Sequence, residues 1–145
     1  MSSAAPEHVP ILGCQKKDRN EEEMPDAEAI NAAINAHCQT LSDHDKAGWL
    51  GLWDDNAILE DPVGVDTFRG IEAIGTTFWK MVEDLSPMKL WLEREVIVCG
   101  NEAIAILHGV VTRKGAMQHV GPLVDHFTFN QEGKITMMRA FWKYA

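Results

Sequence analysis

The sequence predicts an α+β fold, a curved antiparallel sheet with three helices ahead of it, and two observations carry that reading. Apolar residues recur at three-and-four spacing up to about residue 85 and then alternate in twos. Short clusters of Gly, Asn and Lys cut the alternating half into strands of hairpin length. Helices followed by a run of strands give a sheet with its helices packed on the concave side, which closes into a cone.

At 145 residues the chain fits one domain, and 46% hydrophobic content is enough for a core. Residues 1–24 mix small residues, a lysine pair and the acidic run Glu21-Glu22-Glu23 without a period. They read as a flexible arm, and 25–145 as the folded domain. Pro25 and Asp26 start a first helix, whose inner face carries Ile30, Ala33, Ile34, His37, Cys38 and Leu41. Ser42-Asp43-His44-Asp45 breaks it and caps a second helix with Trp49, Leu52 and Trp53 as its buried stripe.

Ala57 to Asp61 alternates and stops at Pro62 and Gly64, so Asp61 stands at the end of an extended segment. The third helix follows Gly70, with Ile71, Ile74, Phe78, Met81, Val82 and Leu85 on one face. After Ser86-Pro87, strands are expected over about 89–98, 103–112, 117–130 and 134–142.

A net charge of −9 without a Lys/Arg cluster offers nucleic acid or an anionic membrane no footprint. Cys14, Cys38 and Cys99 form no CxxC pair, so neither a disulfide framework nor a zinc ribbon is indicated. With no continuous apolar leader and no stretch of transmembrane length, a cytoplasmic protein is expected. GxSxG, phosphate-loop and dinucleotide motifs are missing from the sequence, as are HxxxH and HExxH pairs, and no metal or cofactor is expected.

Three ionisable residues fall on apolar faces, where charge is unfavourable unless paired or neutralised. Asp125 shares its strand face with Leu123, Phe127 and Phe129. Desolvation there favours the uncharged acid, which donates a hydrogen bond; an aspartate bonded to backbone or to a buried histidine is the alternative. Asp61 shares a face with Ala57 and Leu59, opposite Glu60. It suits a general base at a cavity wall, and equally an Asx-type turn cap. His37 reads as a satisfied core histidine or as a third member of the group, and His126 belongs on the outer sheet face.

Three blocks then resemble the ketosteroid isomerase family of the nuclear-transport-factor-like cone superfamily: Glu60-Asp61-Pro62-Val63-Gly64, Pro122-Leu123-Val124-Asp125-His126-Phe127, and Met137-Met138-Arg139-Ala140-Phe141-Trp142. The match spans about residues 26 to 142. The resemblance implies a cystatin-like α+β roll, a homodimer, no cofactor, and a steroid Δ5-isomerase. In that family the aspartate matched by Asp61 moves a proton from C4 to C6 of a 3-oxo-Δ5-steroid. The one matched by Asp125 is held protonated and donates to the dienolate oxygen O3.

Trp142, Met138, Ala140, Leu123, Leu107 and Phe78 are the expected walls for a small apolar polycycle. The chain departs from the family at the other oxyanion donor, a tyrosine whose place is taken by His37, while its supporting tyrosine falls near Phe78. Tyr144 does not replace it. An imidazole N–H is a weaker acid than a phenol, which implies a slower isomerase or a different substrate; a proton shared by touching His37 and Asp125 is a further possibility. The rival readings are an epoxide hydrolase or polyketide cyclase on the same cone, and a non-catalytic steroid or lipid carrier. The hydrolase would need an arginine between its acids, and alternation points Arg139 away from Met138 and Trp142.

Overall fold

The structure, a computed structural model, describes residues 24–143. Apart from Met24, the arm expected over 1–24 lies outside the described residues, as does Tyr144.

Helix α1 (Ala27–Ser42) is started by Asp26, whose carboxylate accepts the Ala29 N–H at 2.9 Å. It buries Ile30, Ile34, His37, Cys38 and Leu41. Helix α2 (Lys46–Leu50) is capped by Asp45 and buries Trp49. It is shorter than the Trp49, Leu52, Trp53 stripe implied. The last strand captures the chain at this point, Ile135 N–H donating to Leu52 O at 2.8 Å, so Trp53 is buried as the first residue of a strand.

Strand β1 (Trp53–Glu60) delivers Asp61 to a turn in which Asp61 N–H bonds Asp66 O and Val63 N–H bonds Ala140 O. The chain returns antiparallel as β2 (Thr67–Arg69), with Leu59 opposite Phe68. Three residues are too few for periodicity to reveal this strand. Helix α3 follows Gly70 as Ile71–Ala73, a π-helical turn over Ile74–Phe78, and Trp79–Asp84. An α-helix rotates residues four apart by about 40° per step. The wider π-turn offsets that drift and keeps Ile74, Phe78 and Val82 buried together.

The stretch read as one strand over 89–98 is two, β3 (Lys89–Leu92) and β4 (Ile97–Cys99), both antiparallel to β5 (Glu102–Arg113). β6 (Ala116–Phe129) and β7 (Ile135–Phe141) complete the sheet, in the order β2-β1-β7-β6-β5-β3 with β4 also on β5. The pairing of β1 with β7 is parallel and the others are antiparallel, so the sheet is mixed at this central seam. The fold is α+β: a curved open sheet with three helices, as the sequence predicts.

The β5–β6 hairpin carries a register shift between Leu107 and Gly109, where a strand bends. Gly121, opposite this bulge, has φ +125°, and a Cβ there would lie 3.0 Å from His108 Cα and Leu107 O. The strands thus wrap over the helices and leave a hollow between sheet, α1 and α3. None of the described helices is long and apolar enough to cross a membrane.

Candidate active site

The hollow is a cavity of about 400 Å³, within the range of small-molecule sites. Its walls come from every layer: Leu41 of α1, Phe78 and Val82 of α3, Leu107 of β5, Leu123 of β6 and Met138 of β7. Asp61, Asp125 and His37 also face it, so the three ionisable residues read from the sequence meet in one apolar space. All six expected wall residues, Trp142, Met138, Ala140, Leu123, Leu107 and Phe78, border it too. Strand alternation brings this about: Asp125 pairs with Ala105 and Ala140 across the inner sheet face, and Phe127 with Ala103 and Met138.

Asp61 stands where β1 ends. Burial pushes its carboxyl up from 3.8 to about 7; the hydrogen bond from Trp142 opposes the rise, and the charges of Asp125 and Asp66 add to it. The Trp142 Nε1–H donates to Asp61 Oδ1 at 2.7 Å. Trp142 is therefore more than the wall expected of it: its indole N–H holds one oxygen of the carboxylate. Asp61 is at once a turn residue, through its backbone, and a cavity carboxylate, through its side chain.

His37 and Asp125 are 2% and 5% exposed, and their Nε2 and Oδ2 atoms lie 3.7 Å apart. That is too long for a hydrogen bond. A third atom can still sit within about 3 Å of both. The His37 ring is held edge-on by Phe127, with centroids 5.4 Å apart, and its Nδ1 accepts the Trp49 Nε1–H at 3.0 Å. Trp49 packs in turn on Trp53, Phe78 and Trp79. The role of Trp49 escaped sequence reasoning, which placed it only on a buried stripe. The signal would have been a donor-only ring at a fully buried helical position, four residues before Trp53 and twelve after His37, whose imidazole is an acceptor of the kind such a ring takes.

Cys38 lies one residue along α1. Its thiol is pushed up to about 12, mainly by burial and then by the Asp125 charge. It is no nucleophile at neutral pH. Arg139 faces away: its Nε–H donates to Glu60 Oε1 at 2.7 Å, and its guanidinium lies 5.4 Å from the Phe141 ring centre. His126 is on the outer face as expected, 2.7 Å from Glu102 Oε1. Among the described residues no group of three His, Cys, Asp or Glu is arranged to hold a metal ion.

The arrangement places a carboxyl that titrates near neutrality and two buried polar side chains around one apolar cavity. Comparisons with known proteins give the family. The SnoaL-like domain family matches residues 34–138. The steroid Delta-isomerase of Nocardioides simplex is 33% identical over 113 residues, covering 78% of this chain and 89% of that protein. RV0760c of Mycobacterium tuberculosis, solved in complex with estradiol-17beta-hemisuccinate, superposes with a TM-score of 0.70 at 25% identity, over 79% of this chain and 94% of that one. SalBIII, an epoxide hydrolase/cyclase-like enzyme of pyran ring formation in the polyether salinomycin, has a TM-score of 0.73 at 23% identity, over 81% and 93%. This last likeness speaks for the fold alone.

Proposed function

Because the chain belongs to the SnoaL-like domain family and is ketosteroid isomerase-like within it, we propose that it moves a C=C bond of a 3-oxo-Δ5-steroid, or of a similar fused-ring enone, into conjugation. The observation that carries this reading is a carboxylate raised to about 7 in an apolar cavity that it shares with Asp125 and His37. A base of that strength is half ionised at neutral pH, and its conjugate acid gives the proton back readily.

Asp61 removes a proton from C4, and the C–H electrons form C3=C4 while the carbonyl oxygen O3 takes the negative charge. O3 sits against His37 Nε2–H, which donates to it, and beside Asp125, the residue that the family resemblance makes the second donor. The C5=C6 electrons then take the proton from Asp61 at C6, the C4=C5 bond forms and the carbonyl is restored. No cofactor enters.

The similarity to a steroid isomerase and the binding of a steroid ester by RV0760c support the substrate class. Arg139, turned toward Glu60, gives no support to an acid-arginine-acid hydrolase. We assign the domain to residues 25–145 and propose a homodimer through the outer sheet face, where Trp91, Ile97, Met117 and Phe141 are exposed.

The test is incubation with a 3-oxo-Δ5-steroid, following the rise of conjugated-enone absorbance. Wild type should turn over, and Asp61→Asn should be slower by about 10²- to 10⁴-fold. Binding without turnover in wild type would make the protein a carrier and end the isomerase reading.

A further inference from the structure

We propose that Trp49 is a positioning residue for the oxyanion site: its indole N–H selects the tautomer of His37 that presents an N–H, rather than a lone pair, to the substrate oxygen. The inference rests on the isomerase reading above for its consequence in catalysis, but its structural half stands apart from it.

The reasoning starts from donors and acceptors. An indole nitrogen can donate and cannot accept, whereas a neutral imidazole carries one donor and one acceptor. Trp49 is fully buried, and its N–H points at His37 Nδ1 at 3.0 Å. Nδ1 must therefore be the bare nitrogen, and the single ring proton is on Nε2. Nε2 is the atom 3.7 Å from Asp125 Oδ2, in a ring that borders the cavity. The opposite tautomer would set two N–H groups against each other at Nδ1 and aim a lone pair at the forming O3 anion. A doubly protonated ring would face Trp49 with the same clash.

The rest of the surroundings hold this arrangement in place. Phe127 meets the imidazole edge-on, and the Trp49 ring is fixed by Trp53, Phe78 and Trp79 around it. Both rings are fully packed in the core, His37 at 2% and Trp49 at 0% exposure. A histidine at this position would otherwise be an unreliable donor, since the two tautomers of a free imidazole are close in energy.

Nitrogen-15 spectra of the histidine-labelled protein test the structural half without any substrate. In wild type, His37 should show a bare Nδ1 and a protonated Nε2. In Trp49→Phe, which keeps an apolar ring of similar shape, both signals should move toward an averaged mixture. A protonated Nδ1 in wild type, or identical spectra in the two proteins, would overturn the proposal.

Steroid turnover tests the rest. Trp49→Phe should lower kcat about three- to tenfold, with KM within about twofold. In a His37→Phe background the same change should alter kcat less than about twofold. An equal loss in both backgrounds would show that Trp49 acts through packing alone and would overturn its positioning role. Expected spectra with no turnover in any protein would leave the tautomer standing and refute the isomerase reading instead.

Discussion

At the scale of single residues, Asp61 links stability to activity in a way that can be measured. Its carboxyl loses a proton near 3.8 when unfolded and near 7 when folded, so between those values the folded chain holds the extra proton. The group stabilises the fold fully below about pH 4, and that contribution fades as pH rises through 7. Asp61→Asn should accordingly be more stable than wild type at pH 8 by roughly 1–3 kcal/mol, the advantage shrinking toward pH 5, as followed by urea unfolding across pH. The same ionisation should give kcat/KM an acid limb with its midpoint near pH 7. Trp142→Phe removes the N–H that favours the carboxylate, and should move this limb up by roughly 0.5–1 pH unit. A limb that stays put, or moves down, would mean that Trp142 is only a wall. The inward facing of Asp61 and Asp125 was legible in the sequence because strand alternation is a local property. Their partners were not: the bonds Trp142–Asp61 and Trp49–His37 join residues 81 and 12 positions apart, and only the strand seam and the helix packing bring them together.

At the scale of elements, the sequence showed the helix after Gly70 and the long strands after Pro87, since each carries its own period. It did not show where the period is interrupted. The π-turn in α3 leaves the apolar spacing almost unchanged while altering the helix beneath it, and β2 is shorter than one full alternation. The bend in the β5–β6 hairpin is hidden for another reason: Gly109 and Gly121 look like ordinary strand glycines until the strands are paired. Gly109 sits where a Cβ would approach Lys89 O at 3.0 Å, and Gly121 has a backbone angle that side chains rarely tolerate. Gly121→Ala should destabilise by about 1–3 kcal/mol in urea unfolding. Because Leu107 and Leu123 flank this bend and border the cavity, any surviving folded protein should show a raised KM before a lowered kcat.

At the scale of the whole molecule, the two faces of the sheet have separate tasks. The inner face forms the cavity, while the outer one combines exposed Trp91, Ile97, Met117 and Phe141 with the cross-strand contacts Glu60–Arg139, Glu102–His126 and Glu93–His108. Sedimentation should show a dimer at micromolar concentration, and Ile97→Glu with Phe141→Glu should shift it to monomer; a monomeric wild type would refute the dimer. The five tryptophans are distributed over these same regions. Trp49, Trp53 and Trp79 are buried in the core, Trp142 stands at the cavity, and Trp91 is exposed on the outer face. The chain thus carries its own fluorophores for folding, for ligand entry and for association, and single-tryptophan variants would let each process be read by emission without an added dye.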